Sequence, residues 1–352
     1  MGAYFFRRLL YMAFTFFCVA LITFLIMHAV PGGPFDSDKN LPREVIKKME
    51  SKYRLDEPLH KQFFSYLSDI FIPKISSEPP SGLVEDDSLI EIKIGNKYLS
   101  WFNFGPSYSQ RTRSVNGIFK DNLPVSIQLG ILSFLNAIII GMTSGIIAAL
   151  HQNGLLDYLS MTIAIIGVSI PVIISGPLLI WFFGVETALL PPSGWSTARP
   201  FKFFFFPADL SWKGFWQYAI LPSFALGLGS AASIARLLRA SILQVIREDY
   251  IRTARAKGVS ERTIIYKHVL KNSLIPVITV LGPLFATLIT GTFVTETVFG
   301  IPGMGRYFVN SINNRDYPVI LGTILLYAML LVVCNIVVDL MYAFLDPRIR
   351  YD

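Results

Sequence analysis

Residues 248–276 read Glu248-Asp-Tyr-Ile-Arg-Thr-Ala-Arg-Ala-Lys-Gly258-Val-Ser-Glu-Arg-Thr-Ile-Ile-Tyr-Lys-His268-Val-Leu-Lys-Asn272-Ser-Leu-Ile-Pro276, a block of charge between two long apolar runs. The block has the pattern of two short amphipathic helices broken at Gly258. A glycine takes positive φ without steric cost, so it serves there as C-cap and turn. Tyr250, Ala254 and Lys257 fall on one face of the first helix, and Ile264, His268, Leu270 and Lys271 lie within the second. Ser260 is placed to cap the second helix, with Thr263 rather than Glu at the reciprocal position, so the capping box is incomplete. Pro276 follows early in the next apolar run. On composition alone, a helix pair lying on anionic lipid headgroups accounts for this block, each Lys or Arg contributing about 1 kcal/mol.

Composition outside the block sets its context. Of 352 residues, 53% are hydrophobic and only 16% charged, whereas soluble chains carry about 25% charged residues. The apolar residues gather in runs of about 20 or more, the length a helix needs to cross roughly 30 Å of hydrocarbon. A backbone in lipid must satisfy its own hydrogen bonds, and runs this long and continuous do so as helices. The net charge of +7 is local: residues 236–271 hold nine basic and three acidic side chains, while 31–120 hold thirteen and twelve. Basicity confined to one segment does not describe a nucleic-acid surface. Cys18 and Cys334 sit singly inside apolar runs and form neither a disulfide framework nor a metal site.

Six spans are expected: Leu9–Val30, Pro124–Leu150, Tyr158–Gly184, Trp216–Leu238, Leu274–Phe299 and Val319–Leu345. The first is too long for a secretory signal and lacks a small-x-small cleavage site. Arg7 and Arg8 hold its N-terminus in the cytoplasm, and the 151–157 turn, the basic block and Arg348/Arg350 fall on the same side. Both termini are therefore expected to be cytoplasmic. Residues 31–120 form an extracytoplasmic region, with helical spacing over Leu41–Tyr53 and Leu59–Ile70 and strand-like alternation over Ile90–Tyr98. A second outer segment, Val185–Phe215, carries Leu190-Pro-Pro-Ser-Gly-Trp195 and the run Phe203–Phe206. The fold class is an all-α integral membrane protein, divided into residues 1–30, 31–120, 121–347 and a tail, 348–352.

Tyr250-Ile-Arg-Thr-Ala-Arg-Ala-Lys-Gly258 resembles the cytoplasmic coupling loop, or EAA loop, of binding-protein-dependent ABC permeases. That pattern places a glycine six residues after its first position; here Gly258 fits, with Arg252-Thr253-Ala254 in the leading places. This departure from Glu-Ala-Ala is typical of the oligopeptide/dipeptide branch, and His268, Asn272 and Pro276 also fit it. The resemblance extends to Arg7-Arg-Leu-Leu10, Pro31-Gly-Gly-Pro34, Phe104-Gly-Pro-Ser-Tyr108, Pro124-Val-Ser-Ile-Gln-Leu-Gly130, Leu190–Trp195, Glu296-Thr-Val-Phe-Gly-Ile-Pro-Gly-Met-Gly305 and Asp346-Pro-Arg348. The Phe-Gly-Pro-Ser-Tyr wording leans towards oligopeptides over dipeptides or nickel. Residues 74–97 look like an insertion.

The resemblance implies the permease architecture of a type I ABC importer in the bacterial inner (plasma) membrane. One chain forms half of the pore. The partners it implies are a second homologous permease subunit, cytoplasmic ABC ATPase subunits and an extracytoplasmic peptide-binding protein, besides membrane lipid; nucleic acid is not among them. The coupling residues carried over are Asp249, Tyr250, Arg252, Thr253, Ala254, Ala256, Lys257, Gly258, Ser260, His268, Asn272 and Pro276. A side chain at Gly258 would either clash or force a different backbone angle. ATP-driven closure of the ATPase pair then swings the permeases as rigid bodies. The sequence holds no Gly-x-x-x-x-Gly-Lys-[Ser/Thr] loop, and no catalytic, cofactor or metal constellation is expected. A self-contained secondary transporter or channel would show internal repeats or charges at mid-membrane depth.

Single residues carry further expectations. Asp339, two turns from the cytoplasmic end of its span, is expected to pair near the interface, with a proton-relay or substrate role as the alternative. Glu296 is expected to fix the glycine-rich turn after it, with a role at the outer pore mouth as the alternative. His28 is expected at the interface. Gly141-x-x-x-Gly145 and Gly227-x-Gly229-Ser230-Ala231 suit close helix packing. Pro171, Pro177, Pro222 and Pro283 should kink spans three, four and five, which are expected to line the pore or the contact between permeases.

Overall fold

The computed structural model describes residues 2–35, 42–77, 84, 87–195 and 210–345. The run Phe203–Phe206, the tail from Asp346 and part of 74–97 lie outside them, as do the side chains of Arg7 and Arg8. In chain order the outer region and its flanks comprise α1 (Gly2–Ala29), α2 (Arg43–Lys52), α3 (Leu59–Phe71), β1 (Lys74–Ser76), β2 (Ile90–Ile94), β3 (Lys97–Trp101) and α4 (Val115–Leu150). There follow α5 (Leu155–Ser169), α6 (Val172–Leu179), α7 (Gln217–Val245), α8 (Asp249–Ala256), α9 (Glu261–Thr263), α10 (Leu270–Ser273) and α11 (Ile275–Ile289). Last come α12 (Phe293–Val298), α13 (Met304–Asn313) and α14 (Tyr317–Leu345), while Ile180–Glu186, Trp212–Trp216 and Ile264–Val269 are π-helical.

Among the described residues, four helical segments are long and apolar enough to cross a bilayer: Leu10–Ala29, Val115–Leu150, Trp212–Val245 and Tyr317–Asp339. Two bent pairs bring the number to six, Leu155–Ser169 with Val172–Glu186 at 104° and Glu261–Ser273 with Ile275–Ile289 at 51°. These coincide with the six expected runs, with differences in detail. Span three is broken, because Pro171 lacks an N–H and holds Ile170 extended at φ −96°, ψ 110°. Span four passes Pro222 as helix and continues to Val245. Span five bends at Leu274 rather than Pro283, and it stops at Ile289 instead of Phe299. Gly291, at φ 100°, ends it, and Phe293–Val298 form a separate helix. Span two starts at Val115 rather than Pro124, since the Ser114 hydroxyl accepts from Gly117 N–H at 2.7 Å and caps the helix upstream.

The helical fold carries one small sheet, three-stranded and antiparallel in the order β1-β3-β2, where strand-like alternation was expected over Ile90–Tyr98. Ile94 pairs with Lys97 across a two-residue turn, with Gly95 at φ 61°, the hairpin geometry that favours glycine at the first central position.

The chain divides into two compact units, one of Gly2–Leu123 with Met304–Met329 and one of Pro124–Gly303 with the chain from Leu330. In the first, Asp316 is 1% exposed and accepts from Tyr108 N–H (3.0 Å), Ser109 N–H (3.1 Å), the Ser109 hydroxyl (2.8 Å) and the Ser107 hydroxyl. Its own carbonyl accepts from Ile320 N–H and opens α14. The Phe104–Tyr108 motif is thus tied to a helix start more than two hundred residues later.

In the second unit Gly141 and Gly145 of α4 face Ala231 and Ala235 of α7. A Cβ at either glycine would stand 2.7 or 2.8 Å from an alanine carbonyl oxygen, so only glycine permits this approach. The packing expectation for that pair is met. Trp195 closes the Leu190–Trp195 motif onto Val125, Leu129, Phe215 and Ile301, its indole N–H donating to Gln128 Oε1 at 3.0 Å. Glu296 is fully buried and accepts from the Ser126 hydroxyl at 2.8 Å. A Cβ on Gly303 would lie 2.3 Å from the Glu296 carboxyl, so the glycine turn is folded directly over it. The turn-fixing expectation for Glu296 is the one this geometry supports.

Candidate coupling site

The elbow at 248–276 forms because its apolar residues have a place to go. Ile251 of α8 is wholly buried, in a cluster with Ile242 of α7, Ile264 and Val269 of the π-helical stretch and Val277 of α11. Truncating such a side chain costs about 2–5 kcal/mol, enough to free a helix of only eight residues. The buried stripe is Ile251 with Ala254, which corrects the sequence reading of one face shared by Tyr250, Ala254 and Lys257: Tyr250 and Lys257 are exposed, whereas Ala254 packs against the cluster. Glu248 enters the helix extended, and Asp249 occupies the first turn, where a carboxylate suits the positive helix end.

The end of α8 is a Schellman turn. Gly258 stands at φ 75°, its N–H donates to Arg255 O at 2.9 Å, and Val259 N–H donates to Ala254 O at 3.2 Å. A Cβ on Gly258 would meet nothing within 4 Å. Of the two reasons anticipated for a glycine, the backbone angle therefore holds within this chain and the clash does not. Ser260 caps α9, its hydroxyl accepting from Thr263 N–H at 3.4 Å. Arg255 and Glu261 pair across the turn at 2.6 Å, but both are solvated and the pair contributes little.

The structure brings some of the twelve carried-over residues together. Asn272 donates to the Tyr250 hydroxyl at 2.7 Å, joining the two halves of the elbow. Arg252 lies 3.3 Å from Asp249, and the Thr253 hydroxyl donates to Asp249 O. Asp249, Tyr250, Arg252, Thr253, Ala256, Lys257, Gly258 and Ser260 are all exposed on one continuous stretch of chain. His268 is half-buried in the π-helical stretch, and Pro276 is exposed in the first turn of α11; no hydrogen bond among the described residues ties either to the elbow. Sequence reasoning missed the anchors Ile251, Ile264 and Val269, although their apolar character inside a charged block was the available signal. It also missed Asp157, which accepts from Arg239 Nε at 2.8 Å and Nη2 at 2.7 Å and joins α5 to α7.

A family model described as the inner membrane component of binding-protein-dependent transport systems matches residues 141–351, and a model of the N-terminal part of such components matches residues 1–81. The chain belongs to this permease family. Its relatives include the dipeptide transport system permease protein DppB of Bacillus subtilis, 41% identical over 99% of this chain and 98% of that one. The oligopeptide permease protein OppB of Haemophilus influenzae is 38% identical over 98% of each chain. The glutathione permease protein GsiC of Escherichia coli is 39% identical over 99% of each. In fold alone, the permease resembles a solved structure of the inward-facing MetNI methionine ABC transporter, at a TM-score of 0.50 and 18% identity, over 65% of this chain and 96% of that chain. The permease is accordingly a multi-pass inner-membrane protein, and in such transporters ATP hydrolysis is the work of separate subunits.

Proposed function

We propose that this permease forms half of the translocation pathway of an ATP-driven importer of short peptides, with oligopeptides as its main cargo. It pairs with a second homologous permease, receives cargo from an extracytoplasmic binding protein, and is worked by cytoplasmic ATPase subunits that seat on α8 and the turn at Gly258. The twelve coupling residues and the core domain 121–347 belong to this proposal. The observation that carries it is the geometry of the elbow: polar and charged side chains exposed outward, and Ile251 anchored inward in a cluster shared with α4, α7 and α11. A load applied to α8 therefore reaches three membrane helices.

Gly258→Val tests the coupling. A left-handed backbone costs an ordinary residue roughly 1–2 kcal/mol, so the turn is expected to reopen while Ile251 stays anchored. ATPase subunits should fail to co-purify with a permease that still inserts at normal levels. Retention of the ATPase at wild-type stoichiometry would remove the docking role.

The pathway itself is expected where spans expose small or polar side chains. On α7 these are Ser233, Arg236 and Ala240, and on α11 Thr279, Pro283 and Thr287. A charged side chain within a span faces a water-filled cavity or the bundle interior far more often than lipid. Single cysteines at these positions should react with a membrane-impermeant thiol reagent, whereas cysteines at Ile163 and Ile166, exposed apolar positions on α5, should not. Equal protection of both sets counts against this route.

A further inference from the structure

The helical stretch after Gly258 carries a row of cations that the seating of ATPase subunits on α8 does not use. α9, the π-helical turn Ile264–Val269 and α10 follow one another without a gap, and Leu270 N–H donates to Ile265 O, five residues back rather than four. That wide turn decides which residues share a side. Nine residues of unbroken α-helix are about two and a half turns, so Arg262 and Lys271 would point in opposite directions. The extra residue makes the separation equivalent to about eight, and Arg262, Lys267 and Lys271 then fall on one side, within about 80°. Ile264, Val269 and Ser273 follow the same spacing, and all three are buried. The cations take the opposite side, and each is exposed.

The setting of this row selects its partner. Ile264 and Val269 pack in one cluster with Ile242, in the last turn of α7, and Val277, in the first turn of α11. The opposite side therefore points away from the bundle, level with the ends of two spans. The stretch meets α11 at 51°, so it runs obliquely along the membrane face. Tyr266 is 67% exposed beside Lys267, and a tyrosine ring suits the headgroup layer. Among the described residues no carboxylate pairs with Arg262, Lys267 or Lys271. The one acid of the stretch, Glu261, is engaged by Arg255, and Asp249 of α8 lies against Arg252. Unpaired cations beside an exposed aromatic ring, on a helix buried along its other side, match a surface of anionic headgroups.

We infer that Arg262, Lys267 and Lys271, with Tyr266 beside them, hold anionic phospholipid headgroups of the inner leaflet. The elbow is then divided in two: α8 and the turn at Gly258 take the ATPase, and residues 262–271 rest on the membrane. A push on α8 turns the elbow about a line held at the lipid surface instead of lifting it away from the bilayer. The inference rests on the reading above that this elbow is cytoplasmic.

The test uses the permease with its partner subunits in nanodiscs of equal parts phosphatidylglycerol and phosphatidylcholine, with p-benzoylphenylalanine in place of Tyr266. After irradiation the probe should join lipid, phosphatidylglycerol adducts exceeding phosphatidylcholine adducts about fivefold at low salt, the factor one surface cation gives. The excess should shrink at high salt and vanish in the triple variant Arg262→Gln, Lys267→Gln, Lys271→Gln. That variant should keep its melting temperature and its ATPase subunits, because none of the three side chains is buried or paired. Adducts with an ATPase subunit in place of lipid, equal adducts of the two lipids, or a preference that the triple variant retains would overturn the headgroup row. Loss of the ATPase from the triple variant would give the row to docking and overturn it too. If the adducts fail while the ATPase still co-purifies, the coupling reading stands and only the row is lost. Labelling of Tyr266→Cys from the outer face by an impermeant thiol reagent overturns both.

Discussion

Asp157→Asn is expected to remove about 2 kcal/mol of stability from the unit of residues 124–303, less than the loss of a fully buried ion pair because the Arg239 side chain is 27% exposed. The Asp157 side chain is 4% exposed and meets Arg239 through two parallel hydrogen bonds, the geometry in which guanidinium and carboxylate bind most tightly. A third bond comes from Asn153 N–H at 2.9 Å, with Asn153 itself held at φ 60°. Asparagine keeps the shape but leaves the partly exposed Arg239 guanidinium without its counter-charge. Replacing both members, Asp157→Leu with Arg239→Met, should be milder than either single change, since no stranded charge remains. Thermal unfolding of the detergent-solubilised protein decides this. A loss under 1 kcal/mol for Asp157→Asn, or a double variant as unstable as the sum of the singles, would contradict the assignment.

The second large effect is expected at Asp316. Asp316→Ala strips one acceptor from two backbone N–H groups and two hydroxyls, and a buried donor left unpaired costs about 1–3 kcal/mol. Over these four donors the loss is about 4 kcal/mol or more, with the Phe104–Tyr108 loop released from α14, whose opening bond to the Asp316 backbone carbonyl is kept. Limited proteolysis near Gln110 should accelerate strongly in Asp316→Ala and only weakly in Asp316→Asn, which keeps one acceptor. Equal cleavage of wild type and Asp316→Ala would show that the loop is held by something else.

This tie bears on cargo as well as stability. The Phe-Gly-Pro-Ser-Tyr wording was the ground for favouring oligopeptides, yet Ser107 and Tyr108 are engaged by Asp316. Ser107 and the Tyr108 backbone therefore serve the assembly of the outer unit.

The fold was legible where one physical rule dominated. Long apolar runs gave six spans because an uninterrupted apolar run of that length satisfies its own backbone in lipid as a helix. The Schellman turn was legible at Gly258 because only one residue type sits easily at φ 75°. Where two rules competed, the sequence was ambiguous. Pro124 looked like a helix start, and the cap at Ser114 overrode it; Pro283 looked like a kink, and the bend fell at Leu274 instead. His28 read as a lone interfacial imidazole because Tyr317, whose ring lies against it, is 289 positions away. The Asp157–Arg239 pair was hidden for the same reason, its arginine counted as part of a basic tract.

The 104° break between α5 and α6 carries a consequence of its own. A straight rod crossing the bilayer can only tilt or slide, whereas a cranked one presents a short arm on each side of its corner. Turning such an element about one arm swings the other sideways, so rotation on one side of the corner becomes lateral displacement on the other.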